Sequence, residues 1–313
     1  MAAFLGAIGQ SQQNGRCISE MPGLHPNVAG ALRRNGYGFY VEDAGTLAEM
    51  SGRAAAASLD ESGLRPDEVD YVLLSTESFT DPARSQDEQS RTSVRNELLD
   101  MLSDRLGLHR SVVVGTWMSG CGNLAPAVKL AEGLVRARSA RNVLVIAADQ
   151  LFAEQTRAAN DGSILFSDLA TACVVSTSPS AFELVGAHLE FTAPILQARL
   201  QGNSLRRIRA LRGALLRLDE QVRQATGWAL RDLDLVVLDS FGDDLIDTVC
   251  HVTGARRDRM RVPAREPFGH AYASDLLLSL RMLHQSGELP RGSRIAAVSV
   301  AAWTLAAIIL RAT

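Results

Sequence analysis

Apolar and polar positions along this chain repeat with two periods. The stretches TLAEMSGRAAAASLDESG (46–63) and LRGALLRLDEQVRQATG (211–227) carry apolar residues at helical spacing. Each leads into a short, nearly continuous apolar run, DYVLLS (70–75) or DLVVL (234–238), of the kind that forms a strand buried on both faces. Both helices are predicted to stop at a glycine, Gly63 and Gly227, and both strands are entered through an acidic turn. The succession of helix, glycine stop, acidic turn and strand therefore occurs twice, an internal repeat.

The element that follows is repeated as well. MSGCGNLAPAVKLAEGLVRARSARNVLVIAAD (118–149) and PFGHAYASDLLLSLRMLHQSGELPRGSRIAAVSV (267–300) each contain a small-residue turn, a helix, a basic connection and a buried strand. Helices alternating with apolar strands indicate an α/β fold. Laid over each other, the halves put Cys121 and His270 at the starts of equivalent helices. With pseudo-twofold packing, those two starts meet at the centre. The C-terminal run IAAVSVAAWTLAAIIL (295–310) has 16 residues, against roughly 20 for a membrane span. It also contains Ser299, Thr304 and β-branched residues, so two buried strands joined by a tight turn are expected.

Composition narrows the class. The 313 residues are 46% hydrophobic and 21% charged, as in a soluble globular protein with a large core. A net charge of −3 with no like-charge block gives no footprint for nucleic acid. Cys17, Cys121, Cys173 and Cys250 form no CxxC pair, which argues against a zinc site or disulfide scaffold and fits a reducing cytoplasm. The opening MAAFLGAIGQ lacks a basic segment and an adequate apolar core, so no signal peptide is expected. His25, His109, His188, His251 and His284 show no ligand spacing.

Cys121 is the candidate nucleophile. A helix start presents unpaired N–H groups and the positive end of a dipole, which is expected to lower the thiol pKa. Gly120 and Gly122 leave room for a substrate, and the same N–H groups could hold a thioester oxyanion.

The ordered segments around Cys121 carry a resemblance. The glycine-flanked cysteine opening a helix is followed by the strand VLVIAADQ and then by DGSILFSDLATACVV, with Ser167 and Asp168 in place. AFLGAIGQSQQNGRCIS stands as an opening strand and turn. Together they resemble the thiolase superfamily, nearest to its β-ketoacyl-acyl carrier protein synthase III branch, over nearly the whole chain. The resemblance implies an αβαβα thiolase fold with an N-terminal half, 1–175, and a C-terminal half, 176–313.

The chain departs from that family at two turns. Where a histidine is expected in an HQAN-like turn, the chain reads LDSFGDD, and the position falls on Asp239 or, one residue off, Ser240. Where an asparagine is expected, it reads FGHAYASD, with His270 in its place. An ionised Asp239 would repel the enolate formed by decarboxylation. Cys121, His270 and Asp239 instead make a nucleophile, base and orienter. Ser240 is the alternative orienter, and Asp275 either caps its helix or holds His270. In the final hairpin, Ala301 and Ala302 replace glycines of the family's oxyanion turn. Trp303 is read as a core or pocket-wall residue.

The resemblance thus implies an acyltransferase. It would take an acyl group from an acyl carrier protein or coenzyme A thioester, hold it on Cys121, and pass it to an O, N or S nucleophile of a small-molecule acceptor, in secondary metabolism. Acyl-CoA or acyl-phosphopantetheine would be substrate, with no permanently bound cofactor and no metal. A decarboxylating condensing enzyme and a silent subunit of a ketosynthase heterodimer remain as alternatives. Arg206, Arg207, Arg209 and Arg212 form either a solvated helix face or a docking patch for the carrier protein or coenzyme A phosphates. A short span between Asp168 and Asp239 points to an open acyl pocket. The stretch TDPARSQDEQSRTSVRNELLDML (80–102) is expected to serve a homodimer interface and pocket lid. The protein is expected to be cytoplasmic.

Overall fold

The computed structural model describes the chain apart from residues 13, 79–87, 152–155, 160 and 302. The strands are β1 (Ala3–Gln10), β2 (Arg16–Cys17), β3 (Phe39–Tyr40), β4 (Tyr71–Ser75), β5 (Val112–Thr116), β6 (Asn142–Asp149), β7 (Leu169–Ser176), β8 (Phe182–Phe191), β9 (Leu235–Leu238), β10 (Met260–Arg261), β11 (Arg294–Val300) and β12 (Thr304–Ala312). The α-helices are α1 (Pro26–Arg34), α2 (Leu47–Ser62), α3 (Glu88–Asp100), α4 (Leu124–Arg136), α5 (Ala193–Leu200), α6 (Ser204–Thr226), α7 (Asp243–Thr253), α8 (Arg265–Phe268) and α9 (Asp275–Gln285).

Among the described residues, the main sheet runs β10-β9-β11-β12-β8-β1-β7-β6-β4-β5, and its two halves mirror each other. In one, β4 lies parallel to β5 and β6, and β7 runs antiparallel to β6 and β1. In the other, β9 lies parallel to β10 and β11, and β12 runs antiparallel to β11 and β8. The halves join where β1 pairs β8.

Strand periodicity explains the layers. Val143, Val145 and Ala147 of β6 face one way and Leu144, Ile146 and Ala148 the other, all fully buried. The first set packs on α4 and α9, whose Leu124, Val128, Leu276, Leu277 and Leu280 share one core with strands of both halves. The second set packs under Met50, Ala54 and Leu59 of α2. On the far side, Leu215, Leu218 and Val222 of α6 and Ile246 and Val249 of α7 cover Val236, Val298 and Ile309. The order is helix, sheet, helix pair, sheet, helix: the αβαβα sandwich of a thiolase fold.

Local chemistry fixes the repeated unit. Thr46 and Glu49 form a reciprocal capping box at the start of α2. Gly63 and Gly227 end α2 and α6 in the left-handed region, at φ 68° and 79°. The C-terminal apolar run is the antiparallel pair β11 and β12, with Val300 opposite Leu305. Among the described residues, no helix is long and apolar enough to cross a membrane.

Candidate active site

The central helices α4 and α9 bring the two repeated turns together. Cys121 sits on a single 3-10 turn, Gly120–Asn123, directly before α4. Gly120 is there for two reasons. Its φ is 62°, and a Cβ would lie 2.7 Å from Glu77 Oε1 and 3.3 Å from the Ala301 methyl. Asn123 steadies the turn, its Oδ1 accepting from the Ser119 N–H at 2.8 Å. Ser75 at the end of β4 donates to the Asn123 carbonyl at 3.0 Å.

His270 follows Gly269, whose positive φ of 68° and close approach to the Leu165 carbonyl exclude a side chain. The His270 N–H donates to Leu165 O at 2.6 Å, and its own carbonyl accepts from the Ser167 N–H at 3.0 Å. Ser167 also donates to the Phe268 carbonyl and accepts from the Val41 N–H. Asp168 ion-pairs with Arg157 and accepts from the Leu151 N–H. The FSD segment is thus a brace behind the histidine. The imidazole is completely buried between the rings of Phe241, Tyr272 and Phe166, at centroid distances of 4.5, 5.4 and 5.7 Å.

Cys121 Sγ lies 3.2 Å from His270 Nε2. On the other side of the ring, Nδ1 lies 2.6 Å from Asp275 Oδ2. Asp275 is fully buried at the start of α9, and its carboxylate also accepts from the Ala271 N–H and the Ser240 N–H, both at 2.7 Å. With three donors around it, Asp275 is held as an acceptor. His270 therefore carries its proton on Nδ1 and turns the Nε2 lone pair toward the thiol.

This geometry corrects two expectations. Asp239, expected to orient His270, turns Oδ2 away to accept from Ser299 Oγ at 2.6 Å and the Val300 N–H at 3.0 Å. The place it was assigned is filled by Asp275. Ser240, the alternative, helps only through its backbone N–H to Asp275, while its carbonyl accepts from Tyr37 at 2.6 Å.

The thiol pKa is also opposite to expectation. Burial raises it well above the ordinary value, and Glu77, Asp239, Asp149 and Asp275 raise it further. Burial and then these carboxyls outweigh the helix start and favour the thiol over the thiolate. Burial alone would depress His270, but Asp275, by charge and hydrogen bond, with Asp239 and Glu77, raises it instead. Asp149 is pushed up to about 8 by burial and by Glu77, against hydrogen bonds from Glu77, Thr76 and Ser78.

Glu77, Asp149 and Ser299 were not singled out from sequence. The available signal was the repeat, which makes the residues beyond the ends of β4 and β9 equivalent neighbours of the centre. Of the oxyanion turn, the Ala301 N–H is committed to Thr304 O at 2.9 Å, and Ala302 lies outside the described residues. Trp303 is half-buried beside Gly120, its indole N–H donating to the Met118 carbonyl at 2.8 Å. Arg206, Arg207, Arg209 and Arg212 are all exposed on α6, away from the catalytic hydrogen bonds. Part of the expected interface and lid stretch, 80–87, lies outside the described residues.

Comparison with known families agrees with this architecture. Residues 117–192 match the model for 3-oxoacyl-[acyl-carrier-protein] synthase III, and residues 223–312 match the model for its C-terminal part. This chain belongs to the synthase III-like branch of the thiolase superfamily. A β-ketoacyl-[acyl-carrier-protein] synthase III of Streptomyces coelicolor is 28% identical over 256 residues, covering 78% of this chain and 76% of that protein. The acyltransferase ChlB3 superposes with a TM-score of 0.80 at 20% identity, covering 100% of this chain and 98% of ChlB3. The priming β-ketosynthase of the R1128 polyketide biosynthetic pathway superposes at 0.71 and 17% identity, covering 99% and 96%. The branch is one of acyl-transferring enzymes.

Proposed function

We propose that this protein is an acyltransferase that carries an acyl group on Cys121 from a carrier protein or coenzyme A thioester to an O, N or S nucleophile. The observation that supports it best is the line from Cys121 Sγ through His270 to Asp275, at 3.2 and 2.6 Å. As Cys121 attacks the donor carbonyl, its proton passes to His270 Nε2, and Asp275 stabilises the imidazolium. That proton then leaves with the donor thiol as the carbon–sulfur bond to the donor breaks. In the second half, His270 takes the proton of the acceptor as it attacks the acyl-cysteine, and returns it to the departing Cys121 sulfur. General-base help of this kind is worth about 10²–10⁴ in rate. No step needs a carbon–carbon bond or loss of carbon dioxide.

Further readings follow from surfaces. On and beside α6, Arg206, Arg207, Arg209 and Arg212 stand among the exposed apolar side chains Leu200, Leu205 and Ile208, as suits docking of an acidic carrier protein or coenzyme A phosphates. At the far end of the sheet, β5 is an edge strand with Val112 and Val113 exposed, which supports a homodimer joined there. The R1128 neighbour is compatible with a role in secondary metabolism, and a cytoplasmic location fits the unpaired cysteines.

The test is intact mass after incubation with a panel of acyl-CoA and acyl-carrier thioesters. An adduct formed by wild type, formed only slowly by His270→Ala and absent in Cys121→Ala, together with turnover lost in His270→Ala, supports the reading. Carbon dioxide released from a malonyl thioester would replace it with a condensing enzyme. No adduct from any donor would replace it with a silent subunit.

A further inference from the structure

Asp239, displaced from the role of orienter, is left with a distinctive environment. It is 1% exposed. Its Oδ2 accepts from both Ser299 Oγ and the Val300 N–H, while its Oδ1 is buried with no hydrogen-bond partner among the described residues. A buried carboxylate oxygen without a donor is costly, and one that carries a proton is not, provided a ligand accepts it. Oδ2, holding two donors, serves as the carbonyl oxygen, so the hydroxyl falls on Oδ1.

The charged neighbours point the same way. Asp275 from the start of α9 is close enough to disfavour a second negative charge on Asp239, while His270 opposes that effect. Cys121 in the turn before α4 feels the Asp239 charge, together with those of Glu77 beyond β4 and Asp149 on β6. Asp275 is the carboxylate committed to the imidazole and to two backbone N–H groups, so the proton belongs on Asp239.

We propose that Asp239 is a neutral carboxylic acid in the working enzyme and that its Oδ1–H donates a hydrogen bond to an oxygen of the bound substrate beside Cys121. The inference rests on the acyl-transfer reading. No proton is transferred: the acid remains protonated through both half-reactions, while His270 alone moves protons. A neutral acid offers a donor to the substrate oxygen where an ionised one would repel the developing negative charge.

Asp239→Asn and Asp239→Ala separate the roles of donor, charge and shape. In Asp239→Asn, the Ser299 and Val300 donors require the amide oxygen at the Oδ2 place, so the NH₂ group falls at the Oδ1 place and still donates. Asp239→Asn should keep turnover within about tenfold of wild type, whereas Asp239→Ala should lose about 10²–10³-fold, the usual effect of removing one such donor. Burial and Asp275 push the Asp239 pKa up to about 7, so wild-type turnover should fall as pH rises through that value. Asp239→Asn should lose this alkaline limb, and Asp149→Asn should keep it.

A readout independent of activity is the infrared band of a protonated carboxyl in the resting protein at about pH 5.5. Asp239 and Asp149 both contribute at this pH. Each of Asp239→Asn and Asp149→Asn should therefore remove one component of the band and the double variant both, with melting temperatures recorded for each. A band unchanged by Asp239→Asn would overturn the proposal. Asp239→Asn as inactive as Asp239→Ala while still folded, or an alkaline limb unchanged in Asp239→Asn, would overturn the proposal. Failure of the underlying reading is distinct, because wild type would then form no Cys121 adduct from any donor.

Discussion

The turn before α4 and the turn before α9 hold equivalent places in the two halves, yet their electrostatics are opposite. Burial raises the thiol pKa of Cys121 first, and the carboxyls of Glu77, Asp239, Asp149 and Asp275 add to it. Around His270 the decisive neighbour is Asp275, whose hydrogen bond and charge favour the protonated ring. One scaffold position is tuned to keep its proton and the other to accept one. At rest the sulfur is favoured as a thiol, and the raised imidazole pKa makes the ring a ready acceptor of its proton. The thiolate is made only as attack begins, which protects the sulfur between turnovers. Duplication supplied the place, and the acids around each place supplied the division of labour.

Removing either member of the pair has the largest expected effect. Cys121→Ala should abolish the acyl adduct outright, and His270→Ala should reduce turnover by about 10²–10⁴-fold. Because protonated His270 cannot accept the thiol proton and its pKa is raised, acylation of wild type should increase as pH rises through that pKa. Single-turnover acylation followed by mass across pH measures this. A rate independent of pH would mean that His270 is not the base.

Asp275 comes next. Asp275→Asn keeps the shape but weakens the acceptor on Nδ1 and permits the wrong imidazole tautomer, so acylation should fall by about 10²–10⁴-fold. Asp275→Ala would also orphan the N–H groups of Ala271 and Ser240 and the ring Nδ1–H, with a stability loss on the order of 3–5 kcal/mol. Urea midpoints measured beside rates separate the two effects. If Asp275→Asn acylates as fast as wild type, the ring is held by its aromatic walls instead.

Much of this site was legible before any coordinates. The two apolar strand patterns, the glycine stops and the repeated turn led to an α/β fold of two halves and to the meeting of Cys121 and His270, because periodicity and capping are local properties. The αβαβα layers were implied by the family resemblance. The choice among Asp239, Ser240 and Asp275 was not local. All three sit near His270, and which carboxylate reaches Nδ1 depends on side-chain directions at the ends of β9 and α9. Asp239 was reached by matching the family's histidine turn, and one bond from Ser299, a residue on another strand, turns it elsewhere. The thiol pKa failed for a related reason. A helix start is visible in sequence, whereas Glu77 and Asp149 approach from the ends of β4 and β6 through tertiary packing.

The acids on the cysteine side carry a stability signature of predictable sign. Asp149 has a folded pKa raised to about 8, so between the ordinary carboxylate range and that value the folded state binds more protons than the unfolded state. Stability should therefore fall as pH rises through this window and level off above it. In Asp149→Asn the amide oxygen can still accept from Thr76, Glu77 and Ser78, and the NH₂ takes the place of Oδ2, which has no partner among the described residues. The variant should flatten the slope and gain on the order of a few kcal/mol over wild type above about pH 8. Parallel melting-temperature curves against pH would show that Asp149 is ionised throughout.

The smallest expected effect probes the asymmetry most directly. Burial raises the Glu77 pKa, and Glu77 is the foremost of the charges raising the thiol of Cys121. It also favours protonated His270, so it acts on both members of the pair. Glu77→Gln keeps a side chain of nearly the same size beside Gly120 but removes the charge, and should lower the thiol pKa and the His270 pKa together. Since the site opens to solvent through partly buried Cys121, the field is partly screened, and the alkylation rate with iodoacetamide should rise only about two- to fivefold at neutral pH. The same substitution should shift the rising limb of acylation toward lower pH. An unchanged alkylation rate together with an unshifted limb would assign the raised thiol to burial alone, and the contrast between the two turns would then rest on Asp275 rather than on the ring of acids around the sulfur.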